Sequence, residues 1–75
     1  MTSATINLNS VERVKNFCDK VKNFDFDLEI KSGKYVVDAK SILGILSLNL
    51  MNPLYLQYPY SNKNEVESIL SDYIV

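Results

Sequence analysis

The chain has 75 residues, 47% of them apolar, and eight basic against nine acidic side chains give a net charge of −1, with one cysteine and no histidine. That length makes one domain, which buries about 60% of its extended-chain surface, and the even charge balance excludes a bulk drive toward nucleic acid or an anionic membrane. The lone Cys18 cannot form an internal disulfide and fits a reducing, cytosolic compartment, while the missing imidazole closes general-base histidine catalysis, His–Cys zinc sites and phosphohistidine chemistry.

In chain order, Thr5–Leu8 alternates polar and apolar residues and predicts a short strand, with residues 1–4 frayed before it. Asn9 and Ser10 are both good N-cap residues: Asn9 stands at capping-box spacing from Glu12, and Ser10 as cap still leaves Glu12 in the first turn. Val11, Val14, Phe17, Cys18, Val21 and Phe24 recur at steps of three and four, which predicts a helix over about 10–23. Its other face holds Arg13, Lys15, Lys20 and Lys22, four of the eight basic residues, and reads as a solvated face or a basic docking surface. Cys18 falls on the apolar stripe as a buried, inert thiol.

Asp25–Lys31 alternates strictly and predicts a half-buried strand with Phe26, Leu28 and Ile30 inward. Asp25, Asp27 and Glu29 repeat every second residue, too spread for one cation cage, so no metal site is expected. Ser32-Gly33 is the candidate two-residue turn and Lys34–Asp38 the returning strand. Lys40–Leu50 follows, apolar nearly all round, with Ser41 as the cap of a helix over Ile42–Leu48 and Asn49 as a left-handed terminator. Gly44 costs about 1 kcal/mol inside a helix relative to alanine, which close approach of another backbone would explain. Leu54–Tyr58 predicts a fourth strand with Leu54, Leu56 and Tyr58 inward, ending at Pro59. Asn62 and Glu65 stand at capping-box spacing before Val66, Ile69, Leu70, Tyr73 and Ile74, which predicts a last helix over about 63–73. No apolar run reaches the ~18 residues of a membrane span, and MTSATINL lacks a signal-peptide pattern. The order β-α-β-β-α-β-α predicts an α+β two-layer sandwich, an antiparallel sheet of four strands covered on one face by three helices.

The element order, and the run KSILGILSL entering the second helix, resemble HPr, the small phosphocarrier of the bacterial phosphotransferase system. Lys40, Ser41, Ile42, Leu43, Gly44, Ile45, Leu46, Ser47 and Leu48 match the family's run position for position. Phe24-Asp25-Phe26-Asp27-Leu28 matches its entry to the second strand, and the resemblance covers about residues 5–74. It implies that the family's phosphorylated histidine falls on Ser10, its arginine on Glu12 and its proline on Arg13, so all three are replaced. A serine hydroxyl without an activating base neither attacks nor leaves as imidazole does. Ser10 then reads as a helix cap, with an unorthodox phosphoacceptor as the other reading.

Ser41 matches the family's regulatory serine, the substrate of an ATP-dependent kinase. Lys40, Ile42, Leu43 and Leu46 match its partner-docking patch. Some family members without the histidine act as cofactors of carbon catabolite repression. The resemblance thus implies a cytoplasmic, monomeric regulatory or interaction protein that is not an enzyme and needs no cofactor. Its partners would be proteins, an HPr kinase or a transcriptional regulator, with no direct contact to nucleic acid or membrane. The remaining readings are a fold-only binding module without phosphorylation and a phosphocarrier working through Ser10.

Overall fold

The computed structural model describes all residues, Met1–Val75. Strands β1 (Thr2–Ile6), β2 (Glu29–Ser32), β3 (Tyr35–Asp38) and β4 (Leu54–Tyr58) form one antiparallel sheet in the order β1-β4-β2-β3. Helices α1 (Val11–Val21), α2 (Ile42–Leu46) and α3 (Lys63–Ile69), the last entered through a 3₁₀ turn at Tyr60–Asn62, complete the expected β-α-β-β-α-β-α order. The result is the expected α+β open-faced sandwich. No helix is long and apolar enough to cross a membrane.

Alternation sets which side of the sheet is covered. Leu54, Leu56 and Tyr58 of β4 are fully buried, as their spacing predicts, and a row of Cα partners, Ala4–Leu56–Ile30–Val37, crosses all four strands on the core side. Val14, Phe17 and Val21 of α1, Ile45 of α2, and Val66 and Leu70 near α3 close over it. The opposite face, carrying Thr5, Tyr55, Lys31 and Val36 in one row, is uncovered.

Several boundaries differ from the sequence expectation. Residues 2–4 are not frayed: Thr2 and Ser3 pair with Tyr58 and Gln57, which otherwise leave a strand side without partners. The strand starting at Asp25 begins only at Glu29. Continued, its register against β4 would set Asp27 opposite Pro59, which has no N–H to give. Phe24 and Phe26 stack instead, 4.9 Å between ring centroids, and Glu29 alone of the three acidic residues lies on the strand. The hairpin turn is Gly33-Lys34, one residue later than predicted, since Ser32 is buried and pairs with Tyr35. Gly33 has φ +59 and is the only residue with positive φ, the pattern of a type II′ turn.

Asn49 is therefore not a left-handed terminator. α2 ends earlier, at Leu46, through tightened bonds from Ser47 N–H to the Gly44 carbonyl and from Leu48 N–H to Ile45. Asn49 Oδ1 accepts from Met51 N–H in a local turn. Asn62 makes no capping bond, because the 3₁₀ turn already supplies carbonyl partners to the entering N–H groups. α3 stops at Ile69, and the chain turns so that Ile74 bridges Ile6. Val11, expected on the apolar stripe, is largely exposed.

Arg13 is not part of a free basic face. Its guanidinium donates twice to the Asn7 carbonyl, at 2.9 and 3.2 Å, and once to the Asp72 carbonyl at 3.1 Å, and lies 4.8 Å over the Tyr73 ring. It thus pins the β1–α1 loop to the C-terminal turn. Replacing Arg13 with alanine is expected to cost about 1–2 kcal/mol in urea unfolding, from lost hydrogen bonds and cation–π contact.

Tyr58 is fully buried and its hydroxyl donates to Glu67 at 2.9 Å. Burial first, then the bond to Glu67 and its charge, push the Tyr58 phenol up to about 12 from 10.0. Between those two values the unfolded chain loses this proton while the folded chain keeps it, so stability falls as pH rises. The stabilisation is fully present below pH 10 and lost by about pH 12, at roughly 2 kcal/mol. Wild type should therefore exceed Tyr58→Phe by about 1 kcal/mol near neutral pH and lose that advantage across this alkaline window in urea titrations.

Candidate functional site

Two helix N-termini carry the residues singled out in the sequence. At α1, Ser10 is extended (φ −149, ψ 157) and its exposed Oγ accepts from Arg13 N–H at 3.1 Å. This settles the choice between Asn9 and Ser10 as cap. Ser10 Oγ has no hydrogen-bonded side chain that could act as its base. Glu12 sits exposed in the first turn. The Arg13 guanidinium is engaged through Nε and Nη2 by the Asn7 and Asp72 carbonyls.

At α2, Ser41 is the cap, as predicted, and its Oγ accepts from Gly44 N–H at 3.1 Å while remaining exposed. The turn before it is held by Asp38, whose Oδ1 accepts from Lys40 N–H at 2.9 Å and whose carbonyl accepts from Ser41 N–H at 3.0 Å. The Lys40 ammonium donates to the Phe24 carbonyl at 2.7 Å. That bond ties α2 to the loop after α1, so Lys40 is not a free charge beside Ser41. The Asp38 carboxylate faces the same turn as the cap.

The all-round apolar character of Ile42–Leu48 divides cleanly in three dimensions. Ile45 is fully buried, Ile42 and Leu48 pack at the core margin, and Leu43 is 78% exposed with Leu46 38% exposed. A five-residue helix has room for one deep contact, so the rest of its apolar surface meets solvent. Gly44 explains the close docking. A Cβ there would lie 3.2 Å from Ser41 Oγ and 3.4 Å from Val37 Cβ, so the crowding comes from the cap hydroxyl and a side chain of β3, and not from a second backbone.

Met51, in the loop after α2, is a further large apolar side chain left 83% exposed. Its only sequence signal is position, one residue before the Asn52-Pro53 turn. Cys18 is half-buried with Sγ 3.9 Å from the Ala39 carbonyl. Burial, then the neighbouring Asp19 charge, push its thiol up, away from the thiolate form that reacts.

The divided burial of α2 has a direct consequence. Leu43→Ala should change stability by no more than about 0.5 kcal/mol, whereas Ile45→Ala should cost about 2–5 kcal/mol. Ser41→Ala and Ser10→Ala should each cost about 0.5–2 kcal/mol as lost caps, read by urea unfolding.

No protein-family model matches the chain and no curated protein does. Among solved structures, HPr-C-His from Thermoanaerobacter tengcongensis superposes with a TM-score of 0.78 at 25% identity, covering 96% of this chain and 89% of that one. The phosphocarrier protein HPr from Bacillus anthracis superposes with a TM-score of 0.73 at 22% identity, covering 99% of this chain and 94% of that one. Agreement over nearly the whole of both chains, in element order and layer arrangement alike, makes this chain an HPr-like protein.

Proposed function

We propose that this chain is a regulatory or interaction protein of the bacterial sugar phosphotransferase system, built on the HPr-like fold but without histidine phosphotransfer. The observation that carries this reading is a contrast between the two helix N-termini in a chain with no histidine. The Ser10 corner offers a capping hydroxyl with no hydrogen-bonded base, and Arg13 three residues on is engaged by the Asn7 and Asp72 carbonyls. The Ser41 corner offers an exposed hydroxyl beside an exposed apolar patch of Leu43 and Leu46, flanked by Ile42. Protein partners dock on that patch, with Lys40 at its margin. The protein acts in the cytoplasm and is not itself an enzyme.

Ser41 serves as the switch. Phosphorylation by an HPr kinase transfers the terminal phosphoryl of ATP to Ser41 Oγ, forming the new O–P bond as ADP leaves and the hydroxyl proton passes to the kinase's base. The added group brings nearly two negative charges to a turn that already holds Asp38. A partner that reads the modified form must therefore present cations as well as an apolar contact.

Intact mass after incubation with ATP and the kinase should rise by one phosphate, and Ser41→Ala should abolish the rise. An unchanged mass would favour a binding module that is never phosphorylated. Incubation with phosphoenolpyruvate and the general phosphotransferase enzyme should leave no acid-labile phosphate; a signal lost in Ser10→Ala would instead establish a phosphocarrier working through Ser10.

A further inference from the structure

The sheet has two outer strands, and they are covered to different extents. The end of β1 at Thr5–Ile6 is covered by the chain's own C-terminal residues: Val75 N–H donates to the Thr5 carbonyl, Asn7 N–H donates to the Tyr73 carbonyl, and Ile74 bridges Ile6. β3 has no such cover. The bond from Ala39 N–H to the Leu28 carbonyl sets the phase of its ladder with β2. Tyr35 and Val37 turn their backbone groups toward β2, and Val36 turns its N–H and C=O outward. Tyr35 is 62% exposed and Val36 51% exposed.

We propose that β3 pairs with β3 of a second copy of this chain, antiparallel about a two-fold axis at Val36. The strand is self-complementary in that register. Val36 meets Val36, Tyr35 meets Val37, and Lys34 meets Asp38 on both sides of the axis. The outward backbone groups of Val36 are the ones this register uses.

The charges favour it further. Glu29 and Asp38 lie directly opposite each other on the uncovered face, a like-charged pair with no cation bonded to either carboxylate. Lys34 forms no ion pair, its ammonium lying 5.9 Å from the Tyr35 ring centroid. The second copy brings its Lys34 to this acidic pair. On the helix side, Tyr35 of the second copy enters a groove of about 710 Å³ beside the strand, between Val37 and the Leu48–Asn49 segment. Four residues a side make a small interface, so the dimer is weak, and the expected monomer is the dilute form.

Sedimentation equilibrium from about 10 μM to about 1 mM should show concentration-dependent dimerisation. Val36→Pro removes the outward N–H at a position where an edge strand tolerates proline, and should abolish the dimer. Lys34→Glu leaves the backbone intact and should raise the dissociation constant about tenfold, since symmetry repeats the change at two pairs. Leu43→Asp should leave the dimer unchanged. A monomer throughout the range overturns the proposal. So does a dimer that survives both β3 variants, or one lost in Leu43→Asp, which would place the contact on α2.

Discussion

β4 is the strand on which the rest depends. With β2 it is one of the two inner strands of the sheet, and its three inward side chains, Leu54, Leu56 and Tyr58, are fully buried. Its length then sets the ends of its partners. β1 must reach back to Thr2 to satisfy Tyr58, and β2 cannot start before Glu29 because Pro59 ends the ladder. The buried phenol of Tyr58 finds its partner in Glu67, which ties the sheet to α3. One strand thus fixes both the register of the sheet and the placement of the last helix.

The two helix N-termini use the same local device for different ends. Each has a serine whose hydroxyl accepts an N–H from three residues on. What separates them is what surrounds the cap. At α1 the following arginine is drawn away to the C-terminal turn, where it holds together segments distant in sequence. At α2 the preceding lysine is drawn to the loop after α1, and the helix is too short to bury its own apolar side chains. The first corner thus ties the β1–α1 loop to the C-terminal turn. The second has an exposed hydroxyl next to exposed Leu43 and Leu46.

Edges follow the same logic of local sufficiency. The C-terminal residues cover the Thr5–Ile6 end of β1 with backbone bonds, whereas β3 has no such cover. β3 is short and flanked by Lys34 and Asp38, features that keep an edge from indiscriminate pairing. Those same charges are complementary in a symmetric register, which makes the edge selective for its own kind.

The sequence by itself determined the element order, the inward faces of β4 and α1, the presence of caps at Ser10 and Ser41, and the likeness to HPr carried by KSILGILSL. Those signals are local: alternation, three-and-four spacing and capping chemistry act within a turn or two of the chain. Tertiary structure decided what depends on distant partners. The true start of β1 and β2 required knowing that β4 lies between them. The roles of Arg13 and Lys40 required the carbonyls of Asp72 and Phe24, which become neighbours only on folding. In α2 the sequence is apolar on every side, and periodicity cannot choose a face. Only the placement of the helix over Val37 and the sheet buried Ile45 and left Leu43 and Leu46 outside. Burial is a property of the assembled layers, and a uniform stretch carries no information about which of its sides they will cover.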